Sequence, residues 1–187
     1  MVKKISIEFP AEDIDVFAYL IRSIVSQQLS LQSAKTIYNR LLNLDGIRLN
    51  DPSTYLSYSD ESLRTVGLSY QKASYVKNVC NFFLNNKLLD ENWVKYSDKE
   101  VIDILTQIKG VGTWTAQMVL MFALRRPDIF PVLDLGIQQG MMVLYNLNLQ
   151  KRPLINELEN IARPWSPYRS YASLSIWRYK DLTKKSK

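Results

Sequence analysis

Residues 105–124 read LTQIKGVGTWTAQMVLMFAL, and this stretch decides the fold. Apolar residues at helical spacing, Val101, Ile104, Leu105 and Ile108, run into Gly110-Val111-Gly112, and a second series, Ala116, Val119, Leu120 and Ala123, follows from Thr113. The pattern predicts two helices joined by a tight turn. Gly110 and Gly112 tolerate backbone angles that other residues avoid, and Val111 is placed to plug between the two helices. The second helix opens with unpaired N–H groups and its positive dipole end. Thr113 and Thr115 add hydroxyl donors. Such a turn suits a phosphate, although an isolated Gly-x-Gly is equally an ordinary helix corner.

Outward from this hairpin the chain keeps the same period. Phe17, Leu20, Ile21, Ile24 and Val25 mark a first helix beginning near Ala11, with Glu12, Asp13 and Asp15 at its positive end. SQQLS (26–30) breaks it, and Ala34, Ile37, Tyr38, Leu41 and Leu42 mark the next. Gly46 and Asp51-Pro52 read as a loop, and Ser59 to Leu63 as a short helix. Tyr70 to Asn85 is another helix, and Ser97 with Glu100 has capping-box spacing before Val101. Ile129 to Val132 is read as a short extended piece before a helix from about Asp134, and Arg169 to Tyr179 as the final helix. No alternating strand pattern is present. The expectation is an all-α fold of about ten helices with a lysine-rich, disordered end.

Composition narrows the chemistry. The 187 residues include one cysteine, Cys80, and no histidine. An intramolecular disulfide, a cysteine-ligated cluster and every histidine-based triad are excluded. Acid–base work falls to Asp, Glu, Lys or Tyr. The net charge of +6 lies entirely in residues 151–187, with nine basic and three acidic side chains there. A basic end points to a polyanion partner, nucleic acid first, or serves as a solubilising tail. The longest clean apolar run is Met118 to Leu124, and the N-terminus lacks a signal peptide's apolar core, so an intracellular protein (cytoplasm, nucleoid or nucleus) is expected.

Twenty-two residues past Gly112 stands Asp134, in Phe130-Pro131-Val132-Leu133-Asp134-Leu135-Gly136. At a predicted helix start it is a natural N-cap. Between apolar neighbours it is also a candidate catalytic carboxylate, and one residue can serve both roles.

The run Ile108-Lys109-Gly110-Val111-Gly112-Thr113-Trp114-Thr115-Ala116, with Asp134 beyond it, resembles the helix–hairpin–helix superfamily of base-excision DNA glycosylases. Three further segments resemble its 3-methyladenine DNA glycosylase II branch: Leu20 to Ser30, Gly67-Leu68-Ser69-Tyr70-Gln71-Lys72-Ala73, and Trp165-Ser166-Pro167-Tyr168-Arg169-Ser170-Tyr171-Ala172. The resemblance covers about residues 15–180.

It implies a two-lobed helical fold with the active site between the lobes, a bundle of about 24–125 and a second lobe from 1–23 and 126–187, without the extra N-terminal α/β domain of larger relatives. It implies Asp134 as the catalytic residue and Trp114, Met118 and Tyr168 in the base pocket. Gln28 falls at the position that fills the gap left by the flipped base, with Leu29 as fallback. Lys109, Gly110, Val111, Gly112, Thr113, Thr115 and Arg169 would meet the DNA backbone. Trp177 and Tyr171 are assigned to the core. Bifunctional members carry a lysine where this chain has Trp114, and tryptophan forms no imine. The resemblance therefore implies a monofunctional enzyme acting as a monomer on duplex DNA with a damaged base. It implies no cofactor, no catalytic metal, and a structural sodium or potassium ion at the carbonyls of Gly110 and Gly112. Alkylated purines are the expected substrates. Deaminated bases such as hypoxanthine or uracil, and a non-catalytic DNA-binding role, are the alternatives.

Overall fold

The computed structural model describes residues 15–184. Ser and Asp side chains set where its helices begin. Asp15, Ser30, Asp51, Ser59 and Ser69 each accept a hydrogen bond from a backbone N–H of the first turn that follows. They open α1 (Val16–Ser26), α2 (Leu31–Leu42), α3 (Pro52–Leu56), α4 (Asp60–Thr65) and α5 (Tyr70–Asn85). A single 3-10 turn, Trp93–Lys95, precedes α6 (Asp98–Leu105), whose start is a complete capping box of Ser97 and Glu100. Next come α7 (Thr113–Met118), α8 (Leu135–Leu144), α9 (Lys151–Ala162) and α10 (Arg169–Lys184). No strand occurs among the described residues, and no helix there is long and apolar enough to cross a membrane.

The expected onset near Ala11, with Glu12 and Asp13, lies outside the described residues, as does most of the lysine-rich end. Three expectations are corrected. Asp51-Pro52 starts a helix rather than a loop, because Asp51 caps it and Pro52 occupies a position where its missing N–H costs nothing. Ile129 to Pro131 form no regular element and a turn begins at Val132, so the stretch is not one extended piece through Val132. The second hairpin helix passes from α7 into a π-turn, Val119–Ala123.

The chain divides into two contact units, residues 15–119 and residues 120–184. In the first, α1 is buried along Val16, Phe17, Leu20, Ile21, Ile24 and Val25. Phe17 meets Tyr55 and Phe83 edge-on, with ring centres 5.8 and 5.4 Å apart. Cys80 is fully buried in α5, and burial pushes its thiol up to about 12. All of α1 packs in this unit against α2 and α5, so the boundary expected at residue 24 falls ahead of α1 instead. In the second unit Ile137, Met141, Leu154, Leu158 and Ile176 form the core, bringing together α8, α9 and α10. Each such aliphatic side chain contributes about 1.5–3 kcal/mol by leaving water.

Candidate active site and hairpin

Asp134 is positioned by a short path of fixed turns. Ser170, fully buried in α10, donates through Oγ to the Arg126 carbonyl (2.6 Å) and accepts from the Ile129 N–H (2.9 Å). Asp128 accepts from Arg169 Nε (2.6 Å), Arg169 Nη2 (2.8 Å), the Arg169 N–H (3.2 Å) and Ser166 Oγ (2.8 Å). The Arg169 guanidinium and these other donors hold the Asp128 carboxyl down at about 2. Downstream, the Asp134 N–H bonds the Pro131 carbonyl, and Gln138 Nε2 bonds that of Val132.

The Asp134 carboxylate then caps α8. Its Oδ1 accepts from the Ile137 N–H at 2.9 Å and from Trp177 Nε1 at 2.8 Å. Two N–H donors on one oxygen fix both the position and the plane of the carboxylate. Trp177 is held in turn by Phe122, stacked at 6.0 Å with 25° between the rings. Gly136 makes the arrangement possible. A Cβ there would stand 2.8 Å from Asp134 Oδ1 and 2.9 Å from the Trp177 indole nitrogen.

In the other unit, Val111 and Ile108 are buried at the hairpin, as a plug requires. Gly110 has φ +107°, and a Cβ would meet the Tyr75 ring at 2.4 Å, so both its conformation and its contact demand glycine. Lys109, Gly112, Thr113 and Trp114 are exposed, Trp114 by 41%. Thr115 is buried and is corrected from a surface hydroxyl donor to an interior residue. Met118 is also buried. The carbonyls expected to hold a cation each accept one hydrogen bond: Gly110 O from Gln27 Nε2 (3.1 Å) and Gly112 O from the Ala116 N–H (3.0 Å). Among the described residues no cluster of three or more His, Cys, Asp or Glu could hold a metal.

Gln28 and Leu29 are exposed at the head of the 26–30 loop, and Gln28 has φ +56°. Tyr168 is 62% exposed and meets Tyr171 edge-on at 6.2 Å. Tyr171 is therefore a surface residue rather than a core one. Arg169, expected on phosphate, spends its guanidinium on Asp128.

Sequence reasoning gave no role to Trp177 beyond packing and none to Gly136, Asp128 or Gln27. Their partners lie far along the chain, except for Gly136, whose position two residues past Asp134 was a readable cue.

Residues 21–166 match the family described as HhH-GPD superfamily base excision DNA repair protein. The chain is 27% identical over 174 residues to a DNA-3-methyladenine glycosylase of Bacillus subtilis, covering 88% of this chain and 57% of that protein. It thus spans less than two thirds of that relative's length. Among solved structures, a DNA-3-methyladenine glycosidase of Bacillus halodurans superposes with a TM-score of 0.81 at 34% identity, over 96% of this chain and 81% of that one. A 3-methyladenine DNA glycosylase of Schizosaccharomyces pombe in complex with abasic DNA gives 0.77 at 29% identity, over 91% and 85%.

Proposed function

The chain belongs to the HhH-GPD superfamily of base excision DNA repair proteins, and from that membership we propose that it is a monofunctional DNA glycosylase. Its substrates are alkylated purines, 3-methyladenine and 7-methylguanine, in duplex DNA, and Asp134 is its catalytic carboxylate. The observation that carries this reading is the double N–H clamp on Asp134 Oδ1 at the head of α8.

The chemistry needs one fixed anion. As the C1′–N bond breaks, its electron pair leaves with the base and positive charge builds on the sugar. A carboxylate beside C1′ stabilises that charge. Water adds to C1′, and its proton passes to the carboxylate. An alkylated purine is already cationic, so it departs neutral without a general acid, which suits a chain with no histidine. Trp114 at the lysine position of bifunctional relatives leaves the strand uncut at the abasic site. The exposed rings of Trp114 and Tyr168 favour an electron-poor base by about 1–2 kcal/mol per face. The exposed Gly112–Thr113 backbone and Lys109 meet phosphates, Gln28 fills the vacated stack, and the protein works as a monomer without a cofactor. The resemblance of the pocket segments to the alkylation branch favours methylated over deaminated bases.

Base release from duplexes carrying 7-methylguanine and 3-methyladenine tests this. Wild type should release base and leave the strand intact until alkali is added. Asp134→Asn should retain DNA binding and lose at least about 100-fold in rate. Near-normal turnover by the variant removes Asp134 from the chemistry.

A further inference from the structure

The face of α5 that carries Lys72, Tyr75 and Asn78 touches two segments far apart in sequence. Lys72 Nζ donates to the Val25 carbonyl at 2.7 Å, near the end of α1 where no backbone donor follows. Tyr75 packs its ring on Gly110 and is itself bonded by Gln71 Nε2 at 2.7 Å. Asn78 Nδ2 donates to the Lys109 carbonyl at 3.1 Å. Spacing of three along one helix brings these side chains into a single slanting row. Gln27 closes the circuit, its Nε2 donating to Gly110 O at 3.1 Å across 83 residues of sequence.

We infer that Gln27 is a positioning residue that, with Lys72 and Asn78, fastens the 26–30 loop to the hairpin turn, so that phosphate grip and side-chain insertion act as one unit. The inference rests on the glycosylase reading above and on Gln28 as the inserted residue. Gln28 sits at φ +56°, a left-handed conformation that is costly for a residue with a side chain and that persists only when its flanks are held. The N-terminal flank is held by these two bonds: Gln27 to the turn, and the Val25 carbonyl, two residues earlier, to Lys72. Three backbone carbonyls, those of Val25, Lys109 and Gly110, accept side-chain amide or ammonium donors. Burial pulls the Lys72 ammonium below its ordinary range.

Two readouts test the coupling. Stopped-flow fluorescence of 2-aminopurine beside a tetrahydrofuran abasic site in a duplex reports insertion without chemistry. Single-turnover release of 7-methylguanine is then compared for a paired lesion and for the same lesion in an unpaired bulge, where extrusion is easy. Gln27→Met keeps length and removes the donor. It should slow the fluorescence change and paired release by about tenfold, while bulge release stays within about twofold of wild type. Equal losses on both substrates, or no loss on either, would overturn the inference. Should Gln27→Met not fold, Lys72→Met is read in the same two assays with the same expectations. Wild type releasing no base from either substrate refutes the glycosylase reading, and the fluorescence arm alone then decides the coupling.

Discussion

Replacing Gly136 by alanine sets two effects against each other. At an ordinary position in a helix the change is favourable, by up to about 1 kcal/mol. Here the new methyl would stand 2.8 Å from Asp134 Oδ1 and 2.9 Å from both Cδ1 and Nε1 of Trp177. Ordinary contact begins near 3.4 Å, so the carboxylate or the indole must retreat by about half an ångström. Asp134 is tied to the Ile137 N–H at 2.9 Å and Trp177 is stacked on Phe122, so neither moves freely. Misplacement by about 1 Å costs a reaction on the order of 100-fold, so half of that should cost about tenfold. Gly136→Ala should therefore melt within a few degrees of wild type, bind abasic-site DNA normally, and release 7-methylguanine about tenfold more slowly in single turnover. A variant that is stabilised and fully active would show that the carboxylate's placement does not matter to the rate. A variant that is slow and also fails to bind DNA would show that the defect lies elsewhere.

Asp128 and Arg169 give the pH dependence. The folded carboxyl sits at about 2 against 3.8 for a free side chain, so its contribution is complete above pH 4 and is lost as pH falls through 2. Urea midpoints measured from pH 5 down to 2 should fall less steeply for Asp128→Asn, which should also be less stable at neutral pH by about 1 kcal/mol. Lys109 and Arg169 separate exposed charge from paired charge. Lys109→Ala should flatten the salt dependence of DNA binding by about one unit of log–log slope, whereas Arg169→Ala should leave the slope unchanged. A titration from about 50 to 200 mM salt distinguishes them.

What the sequence made legible was local. Ser97 and Glu100 are three residues apart, Gly110 and Gly112 two, and their capping box and turn are present as read. Asp134 could be found because a cap lies beside the helix it opens. Distant partners were out of reach. Trp177 bonds Asp134 across 43 residues, and Arg169 bonds Asp128 across 41. An apolar period places Trp177 on a packed face but does not say that its N–H points at a carboxylate. The burial of Thr115 was likewise out of reach, because it depends on what packs over its side of α7. Pro52 was misread because proline ends helices in the middle but starts them at the first turn.

Cys80 carries a consequence outside catalysis. Under the proposed function, the chain meets the electrophiles that methylate DNA. Thiolate sulfur and imidazole nitrogen are among the most reactive targets a protein offers such reagents. This chain has no imidazole, and its one thiol is fully buried with its ionisation pushed up to about 12. At neutral pH the thiol form dominates, and its sulfur is buried in α5. The fold thereby withholds its thiol from such reagents.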